Sequence, residues 1–83
     1  MELNERRDEL SIIYSSQSQS LEINWKHTML EIEIYNLLGV CTHRLLCKRN
    51  HIHIDLKDLR PDTYLVFVRD LESNNYLAQK IIL

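Results

Sequence analysis

Apolar side chains return at every second residue in this chain, and that period decides which backbone it can adopt. Leu21, Ile23 and Trp25 alternate with Glu22 and Asn24. Leu30, Ile32 and Ile34 alternate with Glu31, Glu33 and Tyr35. Ile52, Ile54 and Leu56 alternate with His51, His53 and Asp55. Successive side chains of a strand point to opposite faces, so a two-residue period sorts one face to a core and the other to solvent. The Glu and Leu of Leu30–Asn36 favour helix as single residues, but the period decides for strand. Between the runs lie turn signals. In Asp58-Leu-Arg-Pro-Asp62, Pro61 fixes φ at position i+1 of a β-turn and Asp62 suits position i+2. The run Tyr64–Val68 that follows is nearly all β-branched, aromatic or aliphatic, which predicts a strand with both faces at least partly covered.

Taken in order, Leu10–Tyr14, Leu21–Trp25, Leu30–Asn36, Val40–Cys47, His51–Leu56, Tyr64–Val68 and Tyr76–Leu83 give seven short strands about ten residues apart. That spacing predicts an all-β, antiparallel β-sandwich, with an orthogonal small barrel as the alternative. The connections are read as a polar loop at Ser15–Ser20 and turns at Lys26–Thr28 and Asn36–Gly39. A three-residue hairpin is expected at Lys48–Asn50, and a loop at Asp70–Asn75. Gly39, the single glycine, is expected where φ is positive or a bulge intervenes. Leu45 and Leu46 are adjacent, so Val40–Cys47 needs either a bulge or two partly covered faces. Residues 1–9 read as a flexible lead and residues 10–83 as one domain. A chain of 83 residues buries only about 60% of its unfolded surface, so its stability is modest.

The net charge of −2, with cations and anions mixed along the chain, gives no basic stripe for nucleic acid and no polybasic run for an anionic membrane. Apolar runs are too short for a membrane-spanning helix. The charged start, Met1–Glu9, has no apolar segment behind it and does not read as a secretory signal. The chain as written is therefore expected in the cytoplasm if complete, and outside the cell or on its surface if it ends a longer cargo. Cys41 and Cys47, six apart on one strand, lie roughly 20 Å from each other, beyond disulfide reach. They are read as reduced thiols packing as small apolar groups.

Chemistry has few candidates. His51 and His53 share a strand face, and with Cys41 or His43 across a hairpin they form the one conceivable zinc set. No close Cys-x-x-Cys or His-x-x-x-His pair supports it, so they are read as solvated histidines. Glu31 and Glu33 share a face but have no pocket or nucleophile beside them, and read as a solvated pair. Trp25 is expected as a core anchor between sheets. No catalytic residue, metal or cofactor is expected.

The chain resembles the type A C-terminal sorting domains of the type IX secretion system. The family opens on a Tyr-Pro-Asn-Pro-like turn; here Ile13–Ile23 stands in that place, with Tyr14 kept and the prolines and asparagine absent. Ile34-Tyr-Asn-Leu-Leu-Gly39 matches an Ile-Tyr-Asp-Leu-x-Gly segment. Leu59-Arg-Pro-Asp-Thr-Tyr-Leu-Val66 matches a Leu-x-Pro-Gly-x-Tyr-Leu-Val turn and strand, with Asp62 in place of glycine. Lys80-Ile-Ile-Leu83 matches the Lys-Ile-Val-Leu-like ending. The resemblance implies a seven-stranded immunoglobulin-like sandwich that is not an enzyme. It implies an address read by an outer-membrane translocon, often with a surface sortase acting afterwards. Tyr14, Tyr35, Gly39, Leu59, Pro61, Asp62 and Tyr64 are then structural positions of the motifs. Lys80, Ile81, Ile82 and Leu83 are the expected recognition residues, through strand addition and an apolar grip; the alternative is that the last three close the core. A free-standing binding or structural module that dimerises through edge strands is the competing function.

Overall fold

A computed structural model describes residues 2–7, 10–25, 29–72 and 75–83, with only the backbone described for 2–7. It contains eight strands among these residues: β1 (Glu2–Arg7), β2 (Leu10–Ser15), β3 (Ser20–Asn24), β4 (Leu30–Asn36), β5 (Cys41–Cys47), β6 (His51–Asp55), β7 (Thr63–Asp70) and β8 (Tyr76–Ile82). There is no helix among them. Two four-stranded antiparallel sheets form, ordered β1-β2-β3-β6 and β5-β4-β7-β8. The all-β sandwich expected from the two-residue period is therefore present.

The period also sets what meets between the sheets. Ile12, Leu21 and Ile23 of the first sheet, and Leu30, Ile32, Ile34, Val66, Val68 and Ile81 of the second, are fully buried. Trp25 is buried in the same cluster as the expected anchor. Each of these side chains contributes on the order of 1.5–3 kcal/mol by leaving water.

The strands expected between Leu10 and Leu83 are joined by one the alternation did not announce. Glu2–Arg7 lies antiparallel along β2, with Leu3 opposite Tyr14 and Glu5 opposite Ile12. This corrects the flexible lead for those residues. β2 otherwise presents an open row of N–H and C=O groups, and a polar segment can satisfy them by backbone pairing alone. Residues 1, 8 and 9, the Lys26–Thr28 turn, and Ser73 and Asn74 of the Asp70–Asn75 loop lie outside the described residues.

A second correction concerns Lys48–Asn50. It is not a hairpin: β5 and β6 belong to different sheets, and the connection crosses between them. Asn50 does not take a positive φ; its carbonyl accepts the Trp25 backbone N–H at 2.8 Å. The Asn36–Gly39 turn does join neighbouring strands. The Gly39 N–H donates to the Asn36 carbonyl at 3.1 Å and the Asn36 N–H to the Val40 carbonyl at 3.0 Å. Gly39 takes φ +82°, so this is a type I turn closed by a glycine bulge. The Asn36 side chain accepts the N–H groups of Leu38 and Val40 as well. The irregularity expected in β5 falls at Thr42, between the pairs Ile34–His43 and Tyr35–Cys41, not between Leu45 and Leu46.

Asp62 keeps a negative φ, so the residue that replaces the motif glycine carries no left-handed strain. Its carboxylate accepts the Thr63 N–H at 2.7 Å. Restoring glycine, Asp62→Gly, therefore removes a bond and loosens the unfolded chain without relieving anything. The expected result is a loss of about 0.5–1 kcal/mol in chemical denaturation. A gain would mean that the turn needs positive φ after all.

Candidate functional site

The segments that carry the sequence motifs converge on one end of the sandwich. Asn36 pairs with Tyr64, Tyr64 with Ile81, and Thr63 with Ile82. The β4–β5 turn, the start of β7 and the end of β8 are thus neighbours. From the first sheet, the Tyr14 hydroxyl donates to the Ile82 carbonyl at 3.1 Å. The Leu83 N–H donates to the Asp62 carbonyl at 2.9 Å. The Tyr64 hydroxyl folds back to the Arg60 carbonyl at 2.9 Å, fixing the corner before β7. Burial holds the Tyr14 hydroxyl above the usual phenol pKa. Leu59 packs against the core, and Pro61 and Asp62 are exposed.

The four recognition candidates divide by the pleat of β8. Ile81 is fully buried and Ile82 is 61% exposed. Lys80 is exposed, and Leu83 packs partly against the core. Ile81 is therefore held as a core residue, and Lys80 and Ile82 form the accessible pair. Beside them the β4–β5 turn presents Leu37 and Leu38, the latter 87% exposed.

The outer face of the second sheet adds a feature that motif reading missed. A groove of about 620 Å³ runs over β4 and β7. Its floor is Tyr35, Leu65 and Phe67, with Leu37 at the motif end and Tyr76 at the other. Tyr35 and Phe67 meet edge to face, with ring centroids 5.7 Å apart. Carboxylates edge the floor. Glu33 accepts the Tyr35 hydroxyl at 2.8 Å and faces Arg44 at 3.2 Å, and Glu31 is bridged by Arg69. The hydrogen bond to Glu33 raises the Tyr35 pKa, with burial and the Glu33 and Cys41 charges acting the same way. Glu31 and Glu33, expected as a solvated pair, are half-buried and ion-paired. The signal for this face lay in the unbroken apolar run Tyr64–Val68, whose Leu65 and Phe67 had to point away from the core.

The remaining candidates are not brought together. His51 and His53 lie on the first sheet, beside Asn24 and Glu22, whereas Cys41 and His43 lie on the second. Among the described residues no group of three or more potential metal ligands forms. Cys41 and Cys47 are free and stand at opposite ends of β5. Cys47 packs partly against the core, and burial raises its pKa. Cys41 is exposed, which corrects its expected packing.

The described residues thus form a two-sheet β-sandwich whose motif segments gather at one end, beside an accessible face of the last strand. The model of the secretion system C-terminal sorting domain family matches residues 16–83, and the chain belongs to that family. No curated protein matches it. The family makes this a sorting signal of type IX secretion. Its implied counterpart is the secretion machinery, and its cargo is destined for secretion or the cell surface. This outcome does not support the cytoplasmic expectation.

Proposed function

We propose that this domain is read, folded, by the outer-membrane translocon of the type IX system, through the exposed side chains of its last strand and the turn beside it. The observation that carries the reading is the split of β8. Lys80 and Ile82 stand on an accessible face, anchored from behind by the buried Ile81. The Tyr14 hydroxyl and the Asp62 carbonyl hold the strand end in place. A receptor thus meets a fixed apolar and cationic pair rather than a frayed tail, which lowers the ordering cost of binding. The division into β1-β2-β3-β6 and β5-β4-β7-β8, with Tyr64 folded back on Arg60, supports taking the sandwich, with β1 as an added edge strand, as immunoglobulin-like. We read it as non-catalytic.

The test is export of a reporter carrying the whole chain at its end, in a host with the secretion system. Ile82→Asp with Lys80→Glu is expected to abolish export while the domain stays folded by circular dichroism. Undiminished export of that variant overturns the reading. A second reading, a binding module acting in its own right, is favoured by the groove over β4 and β7. It predicts that Phe67→Ala impairs function while the β8 pair is dispensable.

A further inference from the structure

We propose that β5, the edge opposite β8 in the second sheet, is a docking edge. It accepts an extended segment of a partner in which carboxylate and aliphatic side chains alternate. Among the described residues β5 has one strand neighbour, β4, so its other side presents backbone groups that no strand there pairs with. None of its seven residues is buried. Leu46 is 61% exposed, and Leu45, the next residue along and therefore on the opposite face, is exposed too. Edge strands are ordinarily blunted by lysine, proline, a bulge or a covering element. Here the bulge at Thr42 affects one end only, and the stretch Arg44–Cys47 remains regular and open.

Charge selects the occupant. From Val40 to Asn50 there is no carboxylate, while His43, Arg44, Lys48 and Arg49 all fall there. A second copy pairing β5 with β5 about a two-fold axis would set this cationic stretch against itself, and like charges facing each other across strands destabilise the pair. A strand carrying carboxylates meets no such penalty.

The chain already contains a strand of the complementary kind. β4, Leu-Glu-Ile-Glu-Ile-Tyr-Asn, occupies the inner side of β5. It places Glu33 and Glu31 at 3.2 Å and 3.9 Å from Arg44, and Ile32 opposite Leu45. Arg44 keeps 67% of its side chain exposed and can serve a carboxylate on its free side too. A second strand of that pattern would put carboxylates beside Arg44 on the outer face. Its aliphatic side chains would cover Leu45 and Cys47 on the other face. This is strand addition, with backbone bonds supplying affinity and alternate side chains supplying choice.

The test is an NMR titration of the whole ¹⁵N-labelled chain with two synthetic peptides. One has the β4 sequence, and the other has both glutamates replaced by lysine. The acidic peptide is expected to shift amides of Cys41–Cys47. Its affinity should fall about tenfold in Arg44→Gln, the size of one charge-assisted hydrogen bond, and severalfold in 0.5 M salt, where the screening length shrinks to about 4 Å. The salt arm leaves the protein unmutated, so a folding defect in the variant cannot imitate the result. The proposal is overturned by no binding up to about 2 mM, by equal binding of the two peptides, by shifts centred on β8 or β6, or by affinity indifferent to both salt and Arg44→Gln.

Discussion

Ile81→Ala is expected to lower the unfolding free energy by about 2–5 kcal/mol, and Ile82→Ala, one residue on, by less than about 0.5 kcal/mol. The two side chains are identical and differ only in the face of β8 they occupy. Ile81 is fully buried against both sheets; Ile82 is 61% exposed. Truncating the first removes contacts that the packed interior cannot replace, and leaves a cavity; truncating the second removes atoms that mostly touch water. The difference is large on the scale of the molecule. At about 0.05–0.15 kcal/mol per residue, a chain of 83 residues holds roughly 4–12 kcal/mol in all. Urea unfolding checks it: the midpoint of Ile81→Ala should drop sharply with little change in slope. Reversed midpoints, with Ile82→Ala the weaker variant, would mean that β8 sits one residue out of this register, and equal midpoints would mean that neither face of its end is packed. The distinction also governs export measurements. Loss of export in Ile81→Ala reports unfolding, whereas loss in an Ile82 variant that keeps its midpoint reports recognition.

Where side chains alternate across a buried face, the fold was legible in the residues. Leu21–Trp25, Leu30–Asn36 and His51–Leu56 became β3, β4 and β6 with their apolar positions inward. Gly39 fell where a left-handed residue closes a turn. What stayed illegible has physical reasons. β1 has no apolar period, because what its backbone pairs with is the open edge of β2. Lys48–Asn50 has the composition of a tight hairpin, yet composition does not say whether a short connection stays in its sheet or leaves it. β5 carries Leu45 and Leu46 on two faces because the opposite sheet covers neither, and a rule that buries leucines cannot anticipate that. The site was legible in the same measure. Lys80–Leu83 drew attention as a motif, but only the pleat of β8 tells which of the four can be touched. The groove over Tyr35 and Phe67 joins strands far apart in sequence, so only the β4–β7 pairing reveals it.

Gln79→Leu is expected to raise stability by about 1–3 kcal/mol, an unusual direction for a core substitution. Gln79 points inward from β8, opposite Val66 and between the buried Leu77 and Ile81. It is only 6% exposed, and among the described residues neither its amide nitrogen nor its amide oxygen has a hydrogen-bond partner. A buried amide in that state has given up its bonds to water and received none in return. Leucine is of similar size, needs no partner, and adds apolar surface to a core already rich in aliphatic side chains. Calorimetry and urea unfolding should agree on the gain. Hydrogen exchange should slow most in the amides of β7 and β8, because an edge strand opens locally before the sandwich does. Gln79→Glu, which buries a charge at the same place, should move stability the other way. A lower midpoint for Gln79→Leu would show that the amide is satisfied in solution, by a bound water for instance, and that the strand is not weakened there. Because recognition is proposed to read the folded, exposed Lys80 and Ile82, the same substitution should leave export unchanged. A fall in export alongside the gain in stability would show that the machinery captures β8 by opening it.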